Sequence, residues 1–285
     1  MRYSNDSVTA ADRIRQIGIP VCAALAVAGA FIGSGAAGGT PIAEAAGGAL
    51  SADSTMVAPA GPAFAIWSVI YLGLIAYAVY QALPGRAADP LLRAIGVPVA
   101  ASMLLNAAWI LSIQFDALWL SVPLIVLLLV SLLWVLGVLR RRRPGAGRSA
   151  GPAQALLVDG VFGLYLGWVT IATVANIAAA LTAAGFDGLG VAPEGWGIAL
   201  LVVAGLLGVG LTVWSRGRMA ALLSLSWGVA WIGVSRITGT LEAPAVAVSA
   251  FAVAGALVVL ALVSAVITAV RSARAHQPDG TTSPS

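Results

Sequence analysis

Lysine is absent from this 285-residue chain, and charge of either sign is scarce. Asp, Glu, Lys and Arg together make up 9% of it, against roughly a quarter in a water-facing domain of this size. Cysteine occurs once, as Cys22, and histidine once, as His276 in the polar C-terminal tail. A lone cysteine excludes an intrachain disulfide framework. A lone histidine outside every apolar run excludes histidine-based metal or acid–base chemistry within those runs. The sequence also lacks an HExxH motif, carboxylates paired at acid–base spacing, a serine–histidine set, a phosphate-cradling glycine loop after a strand, and any cluster of metal ligands. It therefore offers no catalytic residues and calls for no cofactor or metal, so the expectation is a protein that is not an enzyme.

What is there is apolar. Hydrophobic residues make up 60% of the chain and the mean hydropathy is +0.98, which leaves no ordinary water-facing surface and reads as a polytopic membrane protein. Eight apolar runs stand out, at approximately 17–36, 63–83, 94–115, 117–139, 155–182, 196–214, 219–236 and 243–270. Each is long enough for ~30 Å of hydrocarbon at ~1.5 Å per residue. Backbone groups in lipid must be satisfied within their own segment, and no ten-residue alternation suggests a barrel, so the expected fold is an all-α bundle of about eight transmembrane helices.

All 15 basic residues are arginine, a usage that fits a GC-rich bacterial genome. Both termini and the even-numbered connections carry 14 of the 15: Arg2, Arg13 and Arg15; Arg86 and Arg93; Arg140 to Arg143 and Arg148; Arg216 and Arg218; Arg271 and Arg274. The other side carries Arg236 alone. This asymmetry predicts a bacterial inner-membrane protein with both termini in the cytoplasm, and an even number of spans. The "RRRR" run is a topology anchor attracted to anionic lipid headgroups, so the net charge of +4 needs no nucleic-acid partner. Residues 1–46 have the basic start, apolar middle and "AEA" of a signal peptide, but the apolar stretch is long for one, and a retained first helix is the preferred reading. Residues 271–285 read as a disordered tail. The connection at about 37–62, rich in Gly, Ala and Ser, is either flexible or a lid.

Polar and aromatic residues fall in stripes. At 100° per residue, Tyr165, Trp168, Ala172 and Asn176 share less than a quarter of the fifth helix's circumference. An amide in a membrane helix needs a partner in protein or water, so this stripe faces inward. On the third helix Asn106 and Trp109 share a face with Ile113; on the second, Phe64, Trp67, Tyr71, Leu74 and Ala78 do. Counting from the outer surface at ~1.5 Å per residue puts Trp67 and Tyr71 about 6 and 12 Å deep, Trp109 and Asn106 about 9 and 13 Å, and Asn176 and Trp168 about 9 and 21 Å. Most of the set shares the outer half of the bilayer, which predicts an aromatic-walled pocket with a few amides, opening toward the first outer loop. For any one residue the bland alternative is interhelical hydrogen bonding or a place in the headgroup belt. Trp119, Trp196 and Trp214 read as belt residues.

"LLNAAW" (Leu104 to Trp109), "LYLGWVTIATVAN" (Leu164 to Asn176) and "FAIWSVIY" (Phe64 to Tyr71) together resemble the helix motifs of the TspO/MBR family, the translocator or tryptophan-rich sensory proteins. The resemblance covers residues 17–183. It implies a five-helix bundle that binds tetrapyrroles, sterol-like molecules or other flat apolar ligands, with roles in transport, stress sensing or porphyrin handling. The expected organisation is then a TspO-like bundle over 1–183, three further helices over 184–270 and the tail. The chain departs from the family pattern where a proline gives way to Ile66 and to Leu164. Its outer loop has Pro59 and Pro62 but no Trp-Pro-Pro-type lid segment. The candidate ligand-binding set is Trp67, Tyr71, Asn106, Trp109, Tyr165, Trp168 and Asn176, its aromatics stacking on the ligand and its amides orienting it. The expected partners are membrane lipid and a tetrapyrrole or sterol-like small molecule.

Two charged positions support a different function, a secondary transporter using all eight helices with Asp159 or Arg236 coupled to ion or substrate movement. The plainer readings are a structural ion pair or helix-start carboxylate for Asp159, and a local pair with Glu242 for Arg236. The two should lie at opposite depths. "GAFIG" (Gly29 to Gly33) and "GLYLG" (Gly163 to Gly167) allow close helix approach, either within the chain or in a homodimer.

Overall fold

The computed structural model describes residues 8–142, 151–215 and 218–274. Arg2, Arg143, Arg148, Arg216 and the tail with His276 lie outside the described residues, as do the side chains of Arg271 and Arg274. The helices are α1 (Ala10–Gly33), α2 (Ile66–Ala82), α3 (Pro90–Gln114), α4 (Leu118–Arg142), α5 (Val161–Ala183), α6 (Pro193–Ser215), α7 (Met219–Thr238) and α8 (Pro244–Arg274). With the turns that lead into α2 and α5 included (spans Gly61–Ala82 and Pro152–Ala183), all eight are long and apolar enough to cross a membrane, and the described residues contain no strand. The chain is a multi-pass, all-α membrane protein.

Each predicted run falls on one helix. The differences lie at the ends, where polar capping groups extend a helix beyond the segment that hydropathy registers. α1 begins at Ala10 because Thr9 and Asp12 form a capping box, each side chain accepting from the other's backbone N–H. α3 begins at Pro90 because the Asp89 carboxylate takes the free N–H groups of Leu91 and Leu92, and proline suits a first helical position. α2 starts late, after a 3₁₀ turn over Gly61–Ala65. α5 is entered through a π-helical turn over Ala155–Gly160.

Ile17, Val21 and Leu25 of α1, Leu127 and Val130 of α4, and Leu206 and Val213 of α6 are exposed on the bundle's outside, as a lipid-facing surface requires. Inside, α3 lies between α1 and α4. α5 packs on α4 and α7, α7 on α8, α6 covers α7 and α8, and α2 crosses against α1 and α5. One hydrophobic core runs through all eight helices, with no break after α5.

At one end of the bundle, several arginines read in the sequence as orientation signals also bind helices together. Arg93 of α3 grips the buried Asp12 of α1 with two bonds of 2.7 Å, Nε to Oδ1 and Nη2 to Oδ2. Arg15 donates to the Ala87 carbonyl at 2.8 Å. Gln16 closes the C-terminus of α2, donating to Ala82 and Leu83 carbonyls at 3.1 Å each.

Both GxxxG motifs are used within the chain. A Cβ on Gly29 or Gly33 would run into Ala107 or Ile110 of α3, at 2.9 and 2.7 Å. On α5, a Cβ on Gly163 would meet Ala220 of α7 at 2.8 Å, and one on Gly167 would lie 1.9 Å from the carbonyl oxygen of Ala221. The α5 and α7 backbones therefore touch. Gly167→Ala is expected to lower stability by at least about 2 kcal/mol through overpacking. Gly255→Ala, where a new Cβ meets nothing within 4 Å, is expected to be neutral. Thermal unfolding in detergent, followed by circular dichroism, compares the two. Equal melting temperatures would contradict the close α5–α7 approach.

Candidate functional site

The stripes of α2, α3 and α5 meet. Trp67 is their hub: its ring lies 5.4 Å from Tyr71 and 6.4 Å from Trp109, both stacked, and 5.8 Å from Tyr165 and 6.2 Å from Trp168, both edge-on. Phe64 meets Trp168 edge-on at 5.6 Å. Such offset and T-shaped pairs suit the ring quadrupoles. Polar atoms are matched around them. Asn106 Nδ2 donates to the Tyr71 hydroxyl at 2.9 Å, and the Trp109 indole N–H donates to Asn176 Oδ1 at 3.1 Å. Asn176 Nδ2 donates to Ser121 Oγ of α4 at 2.9 Å, and the Tyr165 hydroxyl to the Ser102 carbonyl at 3.2 Å.

All seven candidate residues thus fall in one cluster, but they divide into two layers. Trp67, Trp109, Trp168 and Asn176 line a cavity, together with Phe64, Ile171 and Ala172. Tyr71, Asn106 and Tyr165 are not in its wall; they pack beyond the ring of Trp67 as part of the core. Both ends of the Asn176 amide and the Nδ2 of Asn106 are engaged with protein side chains and do not stand free for a ligand. Trp168, whose ring lines the cavity, has a buried indole nitrogen with no partner, and Asn106 Oδ1 has none either.

Counting residues from the surface puts Trp168 much deeper than Trp67, and the structure corrects this. α2 starts at Ile66, beside Trp67, whereas α5 runs on from Trp168 to Ala183, about 22 Å. α2 therefore starts deep within the bundle, and the α1–α2 connection fills the space above it. This connection is an ordered lid. Ala45, Val57 and Ala58 are buried, and Ala49, Leu50, Ser54, Ala58 and Pro59 form the cavity's roof. No Trp-Pro-Pro segment is needed for that. The roof residues are small, and composition alone gave no signal of their packing.

The lid is fastened at both sides. The Ala46 N–H donates to Asp116 Oδ1 at the α3–α4 corner, at 3.0 Å. On the other side the Ala60 N–H donates to the Trp231 carbonyl at 3.1 Å, the Trp227 indole to the Ala63 carbonyl at 3.0 Å, and Ser235 Oγ to the Ala52 carbonyl at 3.1 Å. Asp53 Oδ1 accepts from the Thr240 and Leu241 N–H groups in the α7–α8 corner. Its pKa lies below the ordinary carboxylate value, chiefly through the Thr240 side-chain hydrogen bond. α7 thus supplies most of the fastenings, although no motif in it pointed there. With the lid in place the cavity holds about 40 Å³. That is room for a few waters at most, since one needs roughly 10–15 Å³.

The two charged positions resolve separately. Asp159, on the π-helical turn, pairs with Arg218 at the start of α7, Oδ1 to Nε at 2.9 Å. Arg218 is buried and also donates to the Ser215 and Leu139 carbonyls, at 2.9 and 3.3 Å. This pair ties α4, α5 and α7 together. Arg236 does not pair with Glu242; among the described residues it forms no ion pair at all. Its guanidinium is fully buried and turned to the lid, where Nη2 donates to the Ala52 carbonyl and to Ser235 Oγ. The turn after α7 bends the chain back, with the Ala243 N–H donating to the Arg236 carbonyl, and Asp53 of the lid occupies the corner.

No curated protein and no solved structure matches the chain. A family model described as TSPO-like protein matches residues 20–263, continuing past α5 through α6 and α7 into α8. With that model covering most of the sequence, and the three motifs that carry the resemblance meeting around Trp67, the chain belongs to the TSPO-like family of membrane proteins.

Proposed function

We propose that the protein binds a flat apolar ligand of tetrapyrrole or sterol-like type beneath the lid, and that it senses or slowly transports that ligand without covalent chemistry. The observation that carries this reading is the shared cavity wall of Trp67, Trp109 and Trp168 from three helices, roofed by a separate segment of chain. Aromatic faces stack on a flat ligand, and the unpartnered Trp168 N–H supplies one orienting donor. Ligand pockets of drug size hold about 300–1,000 Å³, so the lid must rise for the ligand to enter. The arginine asymmetry supports a bacterial inner membrane with both termini inside, and the lid then faces outward.

The secondary-transporter reading rests on Asp159 or Arg236; the pairing of Asp159 with Arg218 favours a structural role for Asp159. Asp159→Asn leaves a buried guanidinium short of its counter-charge and is expected to lower stability by about 2–4 kcal/mol. Ligand affinity is expected to stay the same. Unfolding in detergent and ligand titration measure the two separately. Proton-dependent uptake lost in Asp159→Asn with unchanged stability would instead favour the transporter.

The cavity reading is tested by tryptophan quenching with protoporphyrin IX. Trp168→Leu is expected to weaken binding by about tenfold, the effect of losing roughly 1.4 kcal/mol of ring stacking. Trp119→Leu removes an exposed tryptophan elsewhere and is expected to leave the dissociation constant unchanged. The same constant in wild type and both variants would remove the cavity from the mechanism.

A further inference from the structure

Arg236 is a buried charge that forms no ion pair among the described residues, and the cavity reading does not use it. It lies in the last two turns of α7, fully buried. A guanidinium taken out of water is stable only where its donors meet acceptors and its charge meets an opposite charge. Here Nη2 has the Ala52 carbonyl and Ser235 Oγ, both neutral, while Nε and Nη1 have no acceptor. The nearest carboxylate influence is that of Asp53, which lies outside ion-pair distance and is held by the Thr240 and Leu241 N–H groups. Thr55, farther along the same lid, has a buried hydroxyl that also lacks a partner.

The position relates to the cavity through α7. A Cβ on Gly228 would touch Ile171 and the ring of Trp168 at the cavity wall. Ser235 lies on that same face of the helix, with Arg236 beside it, about 12 Å nearer the lid. The lid segment that Arg236 holds at Ala52 is the one that roofs the cavity with Leu50 and Ser54. The Ala52 carbonyl can leave the guanidinium only if this segment moves.

From this we infer that Arg236 is an anion-recognising residue that receives a carboxylate carried by the apolar ligand, the carboxylate replacing the Ala52 carbonyl as the lid rises. The inference rests on the cavity reading and narrows it to flat apolar acids. A carboxylate matches the planar guanidinium, supplies the missing charge and satisfies donors that the closed lid leaves unmade. It also gives ligand and lid opening a shared contact, because Nη2 has two N–H groups, Ser235 Oγ takes one, and the carboxylate and the Ala52 carbonyl compete for the other.

The experiment compares protoporphyrin IX with its dimethyl ester, which keeps the flat ring and loses the charge, by tryptophan quenching in detergent. Wild type is expected to bind the acid about tenfold more tightly than the ester, the effect of one charge-assisted interaction. Arg236→Gln is expected to bring the acid-to-ester affinity ratio to about one, whatever common shift the lost lid contact gives both probes, with circular dichroism and thermal unfolding reporting an intact fold. Arg236→Lys is expected to restore part of that ratio. If wild type binds acid and ester equally, a small free anion or none occupies the site and the inference is overturned. It is also overturned if the tenfold acid-to-ester ratio persists in Arg236→Gln. Quenching of wild type by neither probe is a different failure, that of the cavity reading itself.

Discussion

A methyl group on Gly167 would lie 1.9 Å from the carbonyl oxygen of Ala221, so α5 and α7 meet backbone to backbone. In lipid no hydrophobic force draws two helices together. Their association rests on van der Waals contact and on small residues that permit close approach. This contact sets the course of α7, and the loop end of the molecule follows from it. It lets Gly228 sit against Ile171 and Trp168, and it carries Trp227, Trp231, Ser235 and Arg236 to the edge of the lid. A bulkier residue at 167 would move α7 outward and draw those fastenings away from Ala52, Ala60 and Ala63. The cavity is made by α2, α3 and α5, but its closure depends on a helix outside those three.

The polar residues inside the bundle follow the rule that a buried donor or acceptor is costly when left unmade. Asn176 accepts from Trp109 and donates to Ser121, joining α3, α4 and α5; Asn106 donates to Tyr71, joining α3 and α2. These bonds rigidify the rings around Trp67, so the wall is preorganised while the roof is a separate piece of chain. The arginine end is settled differently, by the charge pairs Asp12–Arg93 and Asp159–Arg218. Neither pair reaches the aromatic cluster. The charged groups of the arginine end therefore stabilise the scaffold, and the proposed ligand site lies apart from them, beneath the lid.

Much of this was legible in the sequence for a physical reason. Hydropathy reports the lipid-spanning part of each helix, and an asparagine or tryptophan at helical spacing inside such a run must find company, which is why the stripes of Trp67, Asn106, Trp109, Trp168 and Asn176 pointed at one another. Depth was less legible. Counting residues from an assumed common surface misplaced Trp67, because nothing in "GPAFAIW" says that α2 starts below the level at which α5 ends. The lid was not legible either, since Ala49, Leu50 and Ala58 are ordinary loop residues until their neighbours are known. Arg236 was visible as an isolated charge, yet its partner was sought nearby at Glu242. The contact it makes, with Ala52, is one of tertiary structure that no local pattern encodes.

The closed lid imposes a condition on any ligand. Its fastenings are a handful of hydrogen bonds, each worth about 0.5–1.5 kcal/mol net, so under the proposed function closure would be stabilised by several kcal/mol and an open form would be a minor population. A ligand that binds only the open form has its apparent affinity reduced by that population. It can shift the equilibrium only by interactions it makes in the open form and not in the closed one. Stacking on Trp67, Trp109 and Trp168 is one such interaction, because the closed cavity has no room for it. A group that takes over a fastening is more effective than one that only breaks it, since the buried donor at the lid's edge is then never left unpaired. Of the lid's fastenings, those at Ala60 and Ala63 are neutral backbone or indole contacts, which a ligand gains little by replacing. The guanidinium at Ala52 is the place where an exchange of partners adds charge complementarity, and so it is where ligand chemistry and lid position are most strongly linked.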